Sequence, residues 1–187
     1  MGIRYESLDD NVRRYMIEEL ERDIESRQLY ISPRLTDEGA RVWPELLREA
    51  FHDHDDDWLA SQLRIRGLMR HTEQRRTPQG RLTTAQVPRT APETLAEGEF
   101  NRFYARGLCR HVIETGGAEV EAYRGKEVRN PRPESQAMIG RRLQARDLLN
   151  DLRVSHGVEP ALGLPPGPNS GLTVRRAGRQ CGADRKP

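Results

Sequence analysis

Apolar positions along this chain recur first at helical spacing, then lose their regularity, then return in shorter pieces. In "DDNVRRYMIEELERDIES" (residues 9–26), Val12, Tyr15, Met16, Leu20 and Ile24 fall on one helical stripe, with Asp9 or Asp10 as the cap. A short extended segment, "RQLYISPRLT", follows, with Pro33 as a breaker. Thr36 then caps "DEGARVWPELLREAF", whose Val42, Trp43, Leu46, Leu47 and Phe51 share a side. Pro44 cannot donate a ladder hydrogen bond, so this segment is expected to kink or restart there. "WLASQLRIRGLM" (58–69) is a third helix of about three turns.

The period changes after residue 69. "TPQG" reads as a turn and "RLTTAQV" as a β-branched strand, so residues 70–92 are expected to form an extended arm or a long hairpin. Thr90 and Pro92 open the next helix, "PETLAEGEFNRFYARGLCRHVIETGG", which the paired glycines close. Phe100, Phe103, Tyr104, Leu108 and Val112 lie at helical spacing in it, and Gly98 and Gly107 suggest close packing. "AEVEAYRGKEV" alternates like a strand, "NPRPES" is a loop, and "QARDLLNDLRV" a short helix with Leu148, Leu149 and Leu152 inward. The predicted class is α+β: a helical N-terminal third, a small helix and strand body, an arginine-rich arm and an extended Pro/Gly-rich tail. The expected regions are 1–69, 70–92, 93–158 and 159–187, the last written "EPALGLPPGPNSGLTVRRAGRQCGADRKP".

Composition sharpens that plan. Hydrophobic residues make up 35% and charged residues 32% of the chain, against roughly 45–50% and about 25% in typical domains. The core is therefore modest, and Trp43, Trp58, Phe100 and Phe103 are its expected anchors. The net charge of +2 conceals two poles: residues 1–60 sum to −8 and the remainder to +10. All basic residues but Lys126 and Lys186 are arginine, whose planar fork grips carboxylate or phosphate. Cys109 and Cys181 have neither metal-ligand nor redox spacing. No apolar run reaches about 18 residues and the start lacks a secretory h-region. The expectation is a protein cytoplasmic when synthesised, with no membrane partner.

Candidate chemistry is sparse. In "FHDHDDDW" (51–58), His52, His54 and Asp56 match the metal-ligating H-x-H-x-D-H pattern of metallo-β-lactamase-type hydrolases, but Asp57 stands at the final histidine. His71, His111 and His156 are isolated in sequence, and an aspartate from 55 to 57 serves equally as a helix cap. A metal-dependent hydrolase at 52–57 is thus the third reading. No nucleophile–base pair and no phosphate-cradling glycine loop occur, so neither enzyme nor cofactor is expected. The arm carries Arg70, Arg75, Arg76, Arg81 and Arg89 against one acid, Glu73. These arginines are expected to meet carboxylates of a neighbouring subunit or, as the alternative, nucleic-acid phosphates. Pro165, Pro166 and Pro168 with Arg175 and Arg176 are the matching contact candidates in the tail.

At "EFNRFYARGLCR", "NPRPES" and "LGLPPGPNSGL" the chain resembles small, uncharacterised structural proteins of tailed-bacteriophage virions, over roughly residues 84–175. The resemblance implies a capsid-associated, decoration or neck protein, with no catalytic residues to carry over. It leads to a non-enzymatic, self-associating or virion-associating subunit located in the virion.

Overall fold

A computed structural model describes residues 2–157, 160–164 and 170–178. The first helix, α1 (Asp10–Glu25), begins where the Asp9 carboxylate accepts from the Val12 amide at 3.0 Å. It buries Val12, Tyr15, Met16 and Leu20 as the stripe requires, and also Glu19 and Asp23. Helix α2 (Asp37–Asp53) is capped by Thr36, whose hydroxyl accepts from Gly39 at 2.9 Å. It runs as one helix through Pro44, so the expected restart does not occur. Helix α3 (Asp56–Ile65) follows after one non-helical pair of residues.

Strands β1 (Thr72–Arg76) and β2 (Leu82–Gln86) pair antiparallel, Arg76 opposite Leu82 and Thr72 opposite Gln86. Thr77 and Arg81 close the hairpin, and Gly80 takes the positive φ of +80° that the turn needs. The arm is therefore the hairpin that its turn chemistry predicted.

Helix α4 (Ala91–Glu114) is the axis of the molecule. Helices α1 and α3 pack along it, as does α6 (Ala145–Val154), and the second sheet lies against it. Being surrounded, it buries Glu97, Glu99, Asn101, Arg102 and Arg106 together with its aromatic residues. A Cβ at Gly107 would come within 2.8 Å of the Val12 carbonyl oxygen, so α1 and α4 approach backbone to backbone there. Gly98 meets nothing within 4 Å, contrary to its expected close packing.

The second sheet has the order β4–β3–β5, formed by Arg142–Gln144, Glu119–Arg124 and Leu172–Arg176, with both neighbours of β3 antiparallel. A short helix, α5 (Pro133–Met138), precedes β4, so the segment expected as a loop turns helical from Pro133. Strand β5 corrects the larger expectation of a detached tail. Leu172, Thr173 and Val174 are buried at 0, 2 and 1% exposure. Asn101 Nδ2 donates to the Leu172 carbonyl at 2.8 Å and the Tyr104 hydroxyl to that of Val174 at 2.9 Å. The Thr173 hydroxyl in turn donates to Asn101 Oδ1 at 2.6 Å. This stretch of the supposed extension is part of the core.

Candidate functional site

The histidine–aspartate run is a junction between α2 and α3. Asp55 caps α3, accepting from Trp58 N at 2.8 Å, and Asp56 and Asp57 occupy the first turn, where the helix dipole favours anions. Asp57 accepts from Gly2 N and Asp56 from Ile3 N, which pins the N-terminal segment. His54 stacks on Trp58 with centroids 4.1 Å apart, and His52 lies 2.8 Å from the exposed Asp53. Trp58 is only partly buried, unlike the other expected anchors. Among the described residues no three histidine, cysteine, aspartate or glutamate side chains converge as a metal site.

The two charge poles of the sequence meet inside the fold. Arg106, fully buried, donates to Glu19 at 2.8 Å and to Asp23 at 2.6 Å. Arg153 and Arg110 also reach Glu19. Burial opposes ionisation of Glu19, but hydrogen bonds from Arg153 and Arg106 outweigh it and hold its carboxyl at about 2. Arg175 pairs with Glu6 at 2.9 Å and Glu121 at 2.7 Å, and Arg176 with Asp9 at 2.6 Å. Six N-terminal acids, Glu6, Asp9, Glu18, Glu19, Asp23 and Asp37, thus take arginines from beyond residue 60. Arg175 and Arg176, expected as contact residues for a neighbour, close the chain's own sheet onto its N-terminal segment. Cys109 is buried in the same helix, where desolvation pushes its thiol well up, as suits a small apolar filler.

The hairpin has almost no cover among the described residues. Side chains alternate across its two faces. Thr72, Gln74 and Arg76 of β1 share one face with Leu82, Thr84 and Gln86 of β2, and all six are exposed. On the other face Glu73 is half-buried and accepts from Arg34 Nε at 2.6 Å and from Arg75, which ties the hairpin to the loop before α2. Arg70 is likewise engaged within the chain, donating to the Leu35 carbonyl and to Asp37, both at 2.7 Å. Arg76, Arg81 and Arg89 make no ion pair among the described residues. Two large apolar side chains lie exposed on this part of the chain: Leu82 at 67% and, at the end of α3, Ile65 at 79%.

At the hairpin root a cleft of about 600 Å³ opens between the end of α3, the two strands and the start of α4. Leu63, Met69, Val87 and Pro92 supply its apolar lining, and Arg64, Arg70, His71 and Arg89 its basic rim. Its backbone frame is fixed by the Leu35–Met69 bridge and by hydrogen bonds from Val87 N to the His71 carbonyl and from Ala91 N to that of Pro88, both 2.9 Å.

Five arginines were expected to act from the arm. The structure leaves Arg76, Arg81 and Arg89 for that purpose and spends Arg70 and Arg75 on its own carboxylates. Pro165, Pro166, Pro168 and Cys181 lie outside the described residues. Sequence reading missed Ile65 and Leu82, whose exposure depends on which neighbours the fold brings, and the cleft, which draws on four elements. No helix among the described residues is long and apolar enough to cross a membrane. No protein-family model, curated protein or solved structure matches this chain.

Proposed function

We propose that the protein is a non-enzymatic interaction subunit of a repeated assembly that docks a neighbouring chain through the β1–β2 hairpin. A tailed-phage virion is the setting that the sequence resemblance implies. The observation that carries the reading is the uncovered outer face of the hairpin. An isolated two-stranded hairpin is marginal in water, yet this one presents Arg76 and Leu82 exposed, with no cover from the described residues. Exposed Leu82, opposite Arg76 and next to Arg81, suits a protein surface better than a phosphate backbone, which offers no apolar contact. The hairpin is directed at carboxylates of a neighbouring chain, a second copy or another subunit of the assembly.

A second reading, nucleic acid, has one observation in its favour. The outer face carries glutamine, threonine and arginine, side chains that contact base edges, on a ribbon of a width the major groove admits. The test separates the two. The full chain, expressed in its native setting, is expected to sediment with a large particle in a density gradient. The triple variant Arg76→Glu, Arg81→Glu, Leu82→Ser is expected to remain in the light fractions. Wild-type protein that stays light would sink the docking proposal. Duplex DNA binding with a steep log–log salt slope, abolished in the same variant, would replace it by the nucleic-acid reading.

A further inference from the structure

The cleft at the hairpin root has the chemistry of a recognition pocket; of the outer face it shares Thr72 and Gln86 and none of Arg76, Arg81 and Leu82. We infer that it receives an acidic and aliphatic peptide segment of the partner chain; this rests on the docking function proposed above. Leu63, Met69, Val87 and Pro92 offer an apolar lining for a branched side chain. Glu93 and Asp37, the nearby carboxylates, are already matched by Arg64 and Arg70. Arg89 therefore leaves the rim with an uncompensated guanidinium, which a carboxylate of the ligand would meet, with the His71 ring beside it as a hydrogen-bonding group. The volume of about 600 Å³ is within the roughly 300–1,000 Å³ of small-ligand sites. It accommodates a few residues of an extended segment.

Two further points favour a peptide over a nucleotide. No tryptophan, tyrosine or phenylalanine lines the cleft, so no aromatic platform stacks a base. The frame is preformed by the hydrogen bonds that close the hairpin root, which lowers the ordering cost of binding.

The test uses the immobilised full chain to pan a random dodecapeptide display library, depleting on the variant Val87→Trp, which fills the cleft. Sequences pairing Asp or Glu with Leu, Ile or Val are expected to enrich. A synthetic winner should bind Arg89→Glu and Val87→Trp at least about tenfold more weakly than wild type, the size of loss expected for a desolvated charge contact. The same peptide should bind the hairpin triple variant within about twofold, and melting curves establish that each variant is folded. Enrichment of non-acidic peptides, or of none, would overturn the pocket. Binding that follows the outer-face substitutions instead would also overturn it, while leaving the docking function standing. A wild-type chain that sediments alone but keeps cleft-dependent peptide binding would remove the docking function and leave the pocket.

Discussion

Arg106, on the central helix, and Arg76, on the hairpin, carry the same guanidinium, and the fold treats them in opposite ways. Arg106 is fully buried on α4, held by Glu19 and Asp23. Arg76 is exposed on β1 and makes no ion pair among the described residues. The difference comes from the element each belongs to. A central helix surrounded by α1, α3, α6 and a sheet has no solvent side, so any charge on it must find a partner. A two-stranded ribbon has two faces and only one to rest on anything. In this chain arginine content reports neither binding nor stability until its surroundings are known.

The sharpest test of that contrast is removal of each end. Ending the chain at Ser170 deletes β5, with its buried Leu172 and Val174 and the partners of Asn101 and Tyr104. Burying one such aliphatic side chain is worth about 1.5–3 kcal/mol, and the whole fold has only about 5–15 kcal/mol. The truncated chain is expected to lose its cooperative thermal transition by circular dichroism. Replacing residues 73–85 by a short Gly-Ser link should instead shift the melting temperature by no more than about 4 °C, the size of a change near 1 kcal/mol in a chain of this length. A truncated chain that melts normally would return the tail to the status of a free extension.

Next in size is Arg106→Met. It leaves buried Asp23 with Arg22, at 3.7 Å, as its remaining arginine among the described residues, and should lower stability in urea by about 3–5 kcal/mol, as for one broken partner of a buried ion pair. Retained stability would mean that Arg110 and Arg153 carry the network alone.

How far the sequence displays this contrast depends on whether the signal is local. Helix caps at Asp9 and Thr36, the Gly80 turn and the apolar stripe of α1 are local, and they read directly from neighbouring residues. Strand β5 was hidden because "LTVRR" sits among Pro, Gly and basic residues, and its strand character depends on pairing with β3 some fifty residues earlier. The −8 and +10 poles were visible as numbers, but which arginine meets which acid is decided by helix packing. That is why Arg175 and Arg176 read as adhesive, whereas the fold sets them against Glu6, Glu121 and Asp9 of the same chain. The candidate site divides likewise: the hairpin was legible from its turn, the cleft beneath it was not.

Two buried carboxyls provide a test of intermediate size. Glu19 has three arginines and is held at about 2, below its ordinary 4.5. The stability it contributes is complete above 4.5 and is lost as pH falls towards 2. Asp56 has backbone donors but no arginine, and burial, with Asp57 and Glu97 nearby, raises it from 3.8 to about 6. Its contribution has the opposite sign: complete below 3.8, and lost as pH rises through 6. Asp56→Asn keeps an acceptor for Ile3 N and should raise stability at pH 7 by on the order of 1–3 kcal/mol, from the size of the shift. It should also remove the decline between pH 4 and pH 6 that this shift leads one to expect of wild type, read by urea titration at each pH. An unchanged profile would show that the Asp56 site is wetter than its burial implies.

The smallest expected effect bears most on function. Arg76→Glu and Arg81→Glu touch no partner among the described residues, so each should change stability by less than about 0.5 kcal/mol. The check is urea denaturation at about 0.1 M salt, beside Arg106→Met as the large reference. A neutral result makes any loss of particle association in these variants a statement about the docked face, since folding is untouched. A cost above about 1 kcal/mol would mean that the hairpin's arginines already serve the fold, as Arg70 and Arg75 do. The distinction between the central helix and the hairpin would then be one of degree, and the outer face would need no partner to account for its charge.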